Sequence, residues 1–169
     1  MQILWAKILA GEANSPGTFS KRTVNLLSSL DKKDASLFTE LCGFVWMIPT
    51  ICPLIYEEQA TIYNERGINF NTLNHLDNIG LISFEPLTGY DRLKFPKQII
   101  VYYYGVPTII EFQNQENNQI SIGKALFTKT GEQLANICGA KPVDGFYDYI
   151  IDRWSKWGLI ISSPLPKKT

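Results

Sequence analysis

This sequence has few histidines and cysteines and no net charge, and each of these features argues against a class of function. The 169 residues contain one histidine, His75, so the usual general base of nucleophilic catalysis is nearly missing. The three cysteines, Cys42, Cys52 and Cys138, fit neither a C-x-x-C motif nor the spacing of a zinc ribbon. We therefore expect no catalytic residues, no bound metal and no disulfide framework.

Charge is balanced as well as sparse. Sixteen basic and sixteen acidic residues give a formal net charge of zero, which removes the usual electrostatic argument for a nucleic-acid or anionic-membrane partner and leaves room only for a local basic patch. The start of the chain has no basic leader and no extended apolar run, so neither a signal peptide nor a membrane span is predicted. Together with the unpaired thiols, these features predict a cytoplasmic protein.

Glycine-rich phosphate-binding loops are also missing. The twelve glycines are dispersed and form neither G-x-G-x-x-G nor G-x-x-x-x-G-K-[ST]. The segment TKTGEQL has Gly131 in the first turn of a predicted helix, where a glycine more often sets how closely the helix packs on a sheet. We therefore expect no cofactor.

Apolar residues are plentiful, at 45% of the chain, which is enough for a globular core. Helical periodicity dominates the first 48 residues. A first helix ends at the Ser15-Pro16-Gly17 turn, a second runs from about residue 20 to 30, and a third begins after Asp31 as its N-cap. We predict that residues 1–48 form a three-helix lobe.

Extended patterns become frequent after residue 49. The segment MIPTICPLIYEE contains two prolines and predicts a boundary or crossover. A short helix near residues 57–65, closed by Gly67, and a helix ending at Gly80 follow it. KQIIVYYYGVPTIIEFQ predicts a β-hairpin, because β-branched and aromatic residues flank a turn at Gly105. Strands are predicted at LISF, ISIGKALF and LIIS, and helices at TKTGEQLANICG and near residues 144–158.

Helix, strand, hairpin and helix in this order resemble a winged-helix topology. We predict an α+β fold in which residues 49–169 form a winged-helix-like part, with residues 1–48 packed against it in one compact unit. The likeness is one of architecture, and it fixes no function.

Basic residues just before the hairpin form a candidate nucleic-acid patch. They are Arg92, Lys94 and Lys97, with Lys124 expected nearby on a neighbouring strand; solvated strand ends explain the same residues. The helix NFNTLNHLDNIG takes the recognition position of a winged helix but contains no lysine or arginine. This composition disfavours docking in a DNA major groove.

Apolar residues at the two ends of the chain are candidate protein-interface residues. Leu4, Trp5 and Ile8 share one face of the first helix, and Trp157 lies on the last helix; a core stripe is the alternative explanation for each. In the YYY run at residues 102–104, the outer two side chains are expected on one side of a strand and the middle one on the other. At least one of these sides is expected to be buried.

Several long segments carry a resemblance to a known family. They are LWAKILAGEANSPGTFSKRTVNLLSSLDKKDASLF at the start, GINFNTLNHLDNIGLISF in the middle, and YYYG, ENNQ, GKALFTKTGEQLANICG and SPLPKKT later. Over essentially the whole chain, the sequence resembles an uncharacterised bacterial family known only as a domain of unknown function. The resemblance implies that members are longer, that this chain corresponds to their C-terminal part, and that no activity or catalytic residue carries over.

These observations favour a non-enzymatic binding or regulatory module that works through a protein partner or a homo-oligomer. Nucleic-acid binding, in a regulatory or phage-defence setting, is the alternative. An enzyme that uses cysteine or carboxylate groups without a histidine signature is a further alternative.

Overall fold

A computed structural model describes residues 6, 10, 11, 13–15 and 17–163 of the chain. Six helices have both ends within the described residues: α1 Lys21–Ser29, α2 Lys32–Cys42, α3 Thr61–Asn64, α4 Phe70–Asn78, α5 Lys129–Ala135 and α6 Phe146–Lys156. The strands are β1 Val45–Ile48, β2 Thr50–Pro53, β3 Ile82–Phe84, β4 Tyr90–Phe95, β5 Gln98–Tyr103, β6 Val106–Glu111, β7 Asn118–Gly123, β8 Ala125–Phe127 and β9 Ile160–Ser162. Mixed helices and antiparallel sheets confirm the predicted α+β class.

The helix starts follow local capping chemistry. Asp31 accepts hydrogen bonds from the backbone N–H groups of Lys33 and Asp34, and the Asp34 side chain accepts from the Asp31 N–H to complete a capping box. Asn69 and Thr72 form the same motif at the start of α4. These contacts confirm Asp31 as the N-cap of α2 and identify Asn69 as the N-cap of α4.

Five strands form the main sheet, in the order β2-β1-β5-β6-β9, and every neighbouring pair is antiparallel. The pairs β3–β8 and β4–β7 form two small separate sheets. The predicted hairpin is present as β5 and β6, joined by Tyr104 and Gly105, which both adopt positive φ. This hairpin lies between β1 and β9 in the interior of the sheet.

The segment predicted as a crossover is instead the hairpin β1–β2, which pairs Val45 with Pro53 and Ile48 with Thr50. Pro49 is the one residue between the two strands, and Pro53 ends β2, the edge strand of the sheet. Proline is compatible with both places because neither needs a ladder hydrogen bond from its nitrogen. The boundary proposed at residue 48 thus falls at the tip of a hairpin whose first strand also pairs with β5.

The inner face of the main sheet packs on α6. Trp46 is fully buried and lies 5.2 Å from the ring of Tyr103, 5.5 Å from Tyr147 and 4.9 Å from Trp154, measured between ring centroids. Thr108 Oγ1 and Tyr147 Oη, 2.7 Å apart, share a hydrogen bond between β6 and α6. The core of the described residues is therefore continuous from this sheet to the last helix.

Gly131 confirms the packing role predicted for it. A Cβ atom at this position would lie 1.9 Å from the carbonyl oxygen of Leu81, just before β3. Thr128, the N-cap of α5, donates its hydroxyl hydrogen bond to the carbonyl oxygen of Gly80 at 2.8 Å. Helix α5 thus approaches the α4–β3 corner more closely than any side chain at residue 131 would permit.

Candidate protein-interaction surface

The side of the main sheet that points away from α6 is largely apolar, although it also carries the polar residues Gln98, Glu111 and Ser162. We call it the outer face and define it by Met47, Ile51, Ile100, Tyr102, Ile109 and Ile160. Strand alternation places these side chains opposite the buried Trp46, Val101, Tyr103 and Ile110. The register pairs Met47 with Ile51 and Tyr102, and Ile100 with Ile109. Five of the six side chains therefore form a connected group across the strands, and Ile160, on the edge strand β9, lies beside Glu111.

The outer face is open to solvent. Met47 is 45% exposed, Ile100 53%, Tyr102 39% and Ile160 60%, while Ile109 is half-buried. An antiparallel sheet with one side on a core usually carries polar residues on the other side. A contiguous exposed apolar surface of this kind is typical of an interaction site.

A cleft of about 310 Å³ borders the outer face at the β1–β2 end. Its walls include Val45, Met47, Ile51 and Tyr102 from the sheet, and residues 135–136 and 139–140 from the end of α5 and the loop that follows. None of the described residues that line the cleft is acidic or basic. The space therefore suits an uncharged aliphatic or aromatic group.

Two side chains that line the cleft, Tyr104 and Cys42, are held in their neutral forms. Burial raises the pKa of Tyr104 above its ordinary value, and the Tyr104 hydroxyl donates a 2.9 Å hydrogen bond to the carbonyl oxygen of Cys42. Burial also raises the pKa of the Cys42 thiol, with a further contribution from Cys138. The described lining of the cleft is consequently uncharged at neutral pH.

Trp157, the one predicted interface residue that the structure describes, does not belong to the outer face. Leu4, Trp5 and Ile8 lie outside the described residues. Trp157, 45% exposed, packs edge-on against Tyr56 with the ring centroids 5.2 Å apart, beyond the C-terminal end of α6. There the guanidinium of Arg153 lies over the Trp157, Tyr56 and Tyr149 rings and donates to Glu57 at 2.6 Å.

The predicted basic patch is divided among separate intramolecular contacts. Arg92 donates a hydrogen bond to the carbonyl oxygen of Ile48. Lys97 pairs with Glu111 at 3.1 Å, and Lys124 with Glu58 at 2.7 Å. Among the described residues, Lys94 alone of the four has no such contact; it is exposed, with a φ of 64° in the irregular part of β4.

The ion pair between Glu58 and Lys124 makes the stability of the fold depend on pH. Burial of Glu58 raises the pKa of its carboxyl, but hydrogen bonds from Lys124 and from a backbone N–H outweigh burial and hold that pKa below its ordinary value of 4.5. A carboxyl whose pKa is lowered in the folded state stabilises the fold when the pH is above its unfolded-state pKa. This stabilisation is lost as the pH falls through the folded-state pKa.

We therefore expect Glu58→Gln to lower the free energy of unfolding by about 1 kcal/mol at neutral pH, and by much less at about pH 3. Urea unfolding of the parent and the variant at both pH values checks this. Glu116→Gln, at an exposed loop position, is the control and should change little at either pH. An equal loss at both pH values would contradict the assignment.

His75, the one histidine, bridges two helices. Its Nε2 lies 2.6 Å from Asp34 Oδ1, so α4 is tied to the start of α2. Burial of Asp34 raises the pKa of its carboxyl, but hydrogen bonds from His75 and the Asp31 backbone hold it below the ordinary value. Across the described part of the chain, no three His, Cys, Asp or Glu side chains gather closely enough to hold a metal ion.

Two further findings concern the described ranges as a whole. No disulfide joins the three cysteines, all of which the structure describes; Cys42 and Cys52 are buried, and Cys138 is half-buried. None of the described helices has the length and apolarity required to cross a bilayer.

The sequence does contain a signal for the outer face. In IIVYYY, residues 99–104, both alternating sets of side chains are apolar or aromatic. Such a strand is expected to be covered on both sides, as in the interior of a protein. Reading both sets as candidates for burial would have singled out Ile100 and Tyr102.

Comparisons with known proteins agree with the resemblance seen in the sequence. A family model described as "Protein of unknown function (DUF2806)" matches residues 1–151. No curated protein and no solved structure matches the chain.

Proposed function

The chain belongs to the DUF2806 family, and we propose that it is a non-enzymatic protein-binding module whose contact surface is the outer face. The observation that carries this proposal is the solvent exposure of Met47, Ile100, Tyr102 and Ile160 on one side of a single sheet. Covering that side with a partner would contribute about 25 cal/mol of favourable free energy for each Å² of apolar surface removed from water.

The cleft supplies specificity within the same surface. Met47, Ile51 and Tyr102 belong both to the outer face and to the cleft wall, so a partner covering the sheet also reaches the cleft. An uncharged aliphatic or aromatic side chain of the partner is the group that fits it, because a charged group would find no counter-charge there. Met47 adds an adaptable wall, since methionine side chains fill irregular spaces.

Nucleic-acid binding by a winged-helix-like domain is the alternative proposal, and it receives less support. Lys97 and Lys124 are neutralised by Glu111 and Glu58, which reduces the positive charge offered to phosphates. The hairpin predicted as the wing lies inside the main sheet between β1 and β9. The regulatory or phage-defence setting belongs to this alternative, whereas a cytoplasmic location is proposed under both.

The proposal is tested by placing a charge on the outer face. We expect Ile100→Glu to remove roughly half or more of the fluorescence that the apolar dye ANS gains on binding the folded protein. Proteins that the parent captures from a lysate of the source cells should also be lost. Both losses are expected because burying an unpaired carboxylate in an apolar contact costs free energy.

Leu87→Glu is the matched control, because Leu87 is 90% exposed and lies in the loop between β3 and β4, outside the main sheet. It should leave dye binding and captured proteins as in the parent. Circular dichroism establishes that both variants are folded. If Ile100→Glu bound the dye and captured proteins as the parent does, the proposal would be wrong.

A further inference from the structure

We propose that the occupant of the outer face is a second copy of this chain, so that two main sheets pack face to face in a reversible two-fold dimer. This inference rests on the proposed function, because it names the partner that covers the same surface. Three observations carry it: the neutrality of the face, its area, and the central position of β5.

The first observation is that the outer face suits a partner like itself. Its six defining side chains carry no charge, and Glu111, which lies on the same side of the sheet beside Ile160, is paired with Lys97 at 3.1 Å. Two such faces meet without like-charge repulsion and without burying an unpaired charge. An acidic or basic partner surface would lose its hydration here and gain no counter-charge.

The second observation is the size of the sheet. Five strands of three to six residues cover about 400 Å² in the plane of the sheet at the usual strand spacing and rise. A standard stable interface buries about 800 Å² on each partner. The outer face therefore supports a weak, reversible dimer, for which we expect a dissociation constant of about 10 to 100 μM.

The third observation is that β5 is the middle strand of five. When two copies overlay their sheets across a two-fold axis parallel to the sheets, the middle strand of one copy faces the middle strand of the other. Ile100, in the centre of β5, then lies close to its counterpart in the second copy. A charge at residue 100 would be repeated on both sides of the contact.

Sedimentation velocity of the full chain, from about 5 to 500 μM, tests the dimer. We expect the parent to shift from monomer to dimer across this range and Leu87→Glu to do the same. Ile100→Glu and Ile100→Lys, each measured alone, should raise the dissociation constant more than about 10-fold. An equimolar mixture of these two variants should regain the dimer, because opposite charges then meet at the axis.

A parent that stays monomeric at every concentration would overturn the dimer, as would an Ile100→Glu variant that dimerises like the parent or a mixture that gains nothing over its components. The dye and capture experiment separates this failure from that of the proposed function. A monomeric parent whose dye binding and captured proteins still depend on Ile100 contradicts only the second copy as occupant. If those readouts do not depend on Ile100 either, both proposals fall.

Discussion

Gly123→Ala is expected to destabilise the fold by about 3 kcal/mol or more. Gly123 adopts a φ of +86°, which costs a residue with a Cβ about 1–2 kcal/mol. A Cβ there would also lie 2.4 Å from the carbonyl oxygen of Ile55, where Gly123 bridges to that residue as β7 ends. The obstacle is backbone, and the Ile55 oxygen is held by the Lys124 N–H at 2.7 Å, so it cannot move aside cheaply.

Gly67→Ala is the matched control for this prediction. Gly67 has a φ of +72°, and no atom lies within 4 Å of the position that its Cβ would take. Gly67→Ala should therefore lose only the free energy that a positive φ costs a residue with a Cβ, about 1 kcal/mol. Urea unfolding of both variants isolates the steric term as the difference, and equal losses would show that the close approach at Ile55 relaxes without cost.

Trp46→Ala should cost about 3–5 kcal/mol, as large-to-small changes of buried aromatic residues do. The Trp46 ring is enclosed by three other aromatic rings, two stacked and one edge-on. Removing it leaves a cavity between the inner face of the sheet and α6, and these neighbours have their own fixed partners: Tyr103 Oη donates to the carbonyl oxygen of Gly43 at 2.8 Å. The site therefore has little freedom to collapse.

Thermal or urea unfolding checks the Trp46 prediction, with Trp157→Ala as the control. Trp157 is a tryptophan of the same size at a half-exposed position, so its removal should cost clearly less. Trp46→Phe keeps most of the ring and loses no hydrogen bond, because no acceptor among the described residues contacts Trp46 Nε1. A loss for Trp46→Ala as small as that for Trp157→Ala would contradict the central role of this ring.

Much of the local structure was predictable from the sequence. The N-cap Asp31, the β5–β6 hairpin and the left-handed Gly67 all appear where the patterns indicate them. Each depends on residues a few positions apart, whose hydrogen bonds and φ preferences act without the rest of the fold. Phe146, Ile150 and Trp154, spaced for one helix face, are buried as that spacing implies.

The candidate site was much less predictable. The prolines of β1–β2 suggested a break in the chain, since whether a proline is tolerated depends on which strand lies at the sheet edge. Trp157 is of a residue type that is common at interfaces, but at the end of α6 its ring contacts Tyr56 and Arg153. The basic residues looked like one patch, and only the folded chain brings Glu58 and Glu111 to two of them.

By itself, then, the sequence determined the α+β class, the positions of most helices and strands, and the family of the chain. Only the tertiary structure decided which apolar side of the sheet is covered. From residue 99 to residue 103 of β5, both alternating sets are aliphatic or aromatic, so alternation alone cannot choose between them. The choice is made by α6, whose Tyr147 bonds Thr108 from 39 residues further along the chain, and which covers the inner face and leaves Met47, Ile100 and Tyr102 on the outer one.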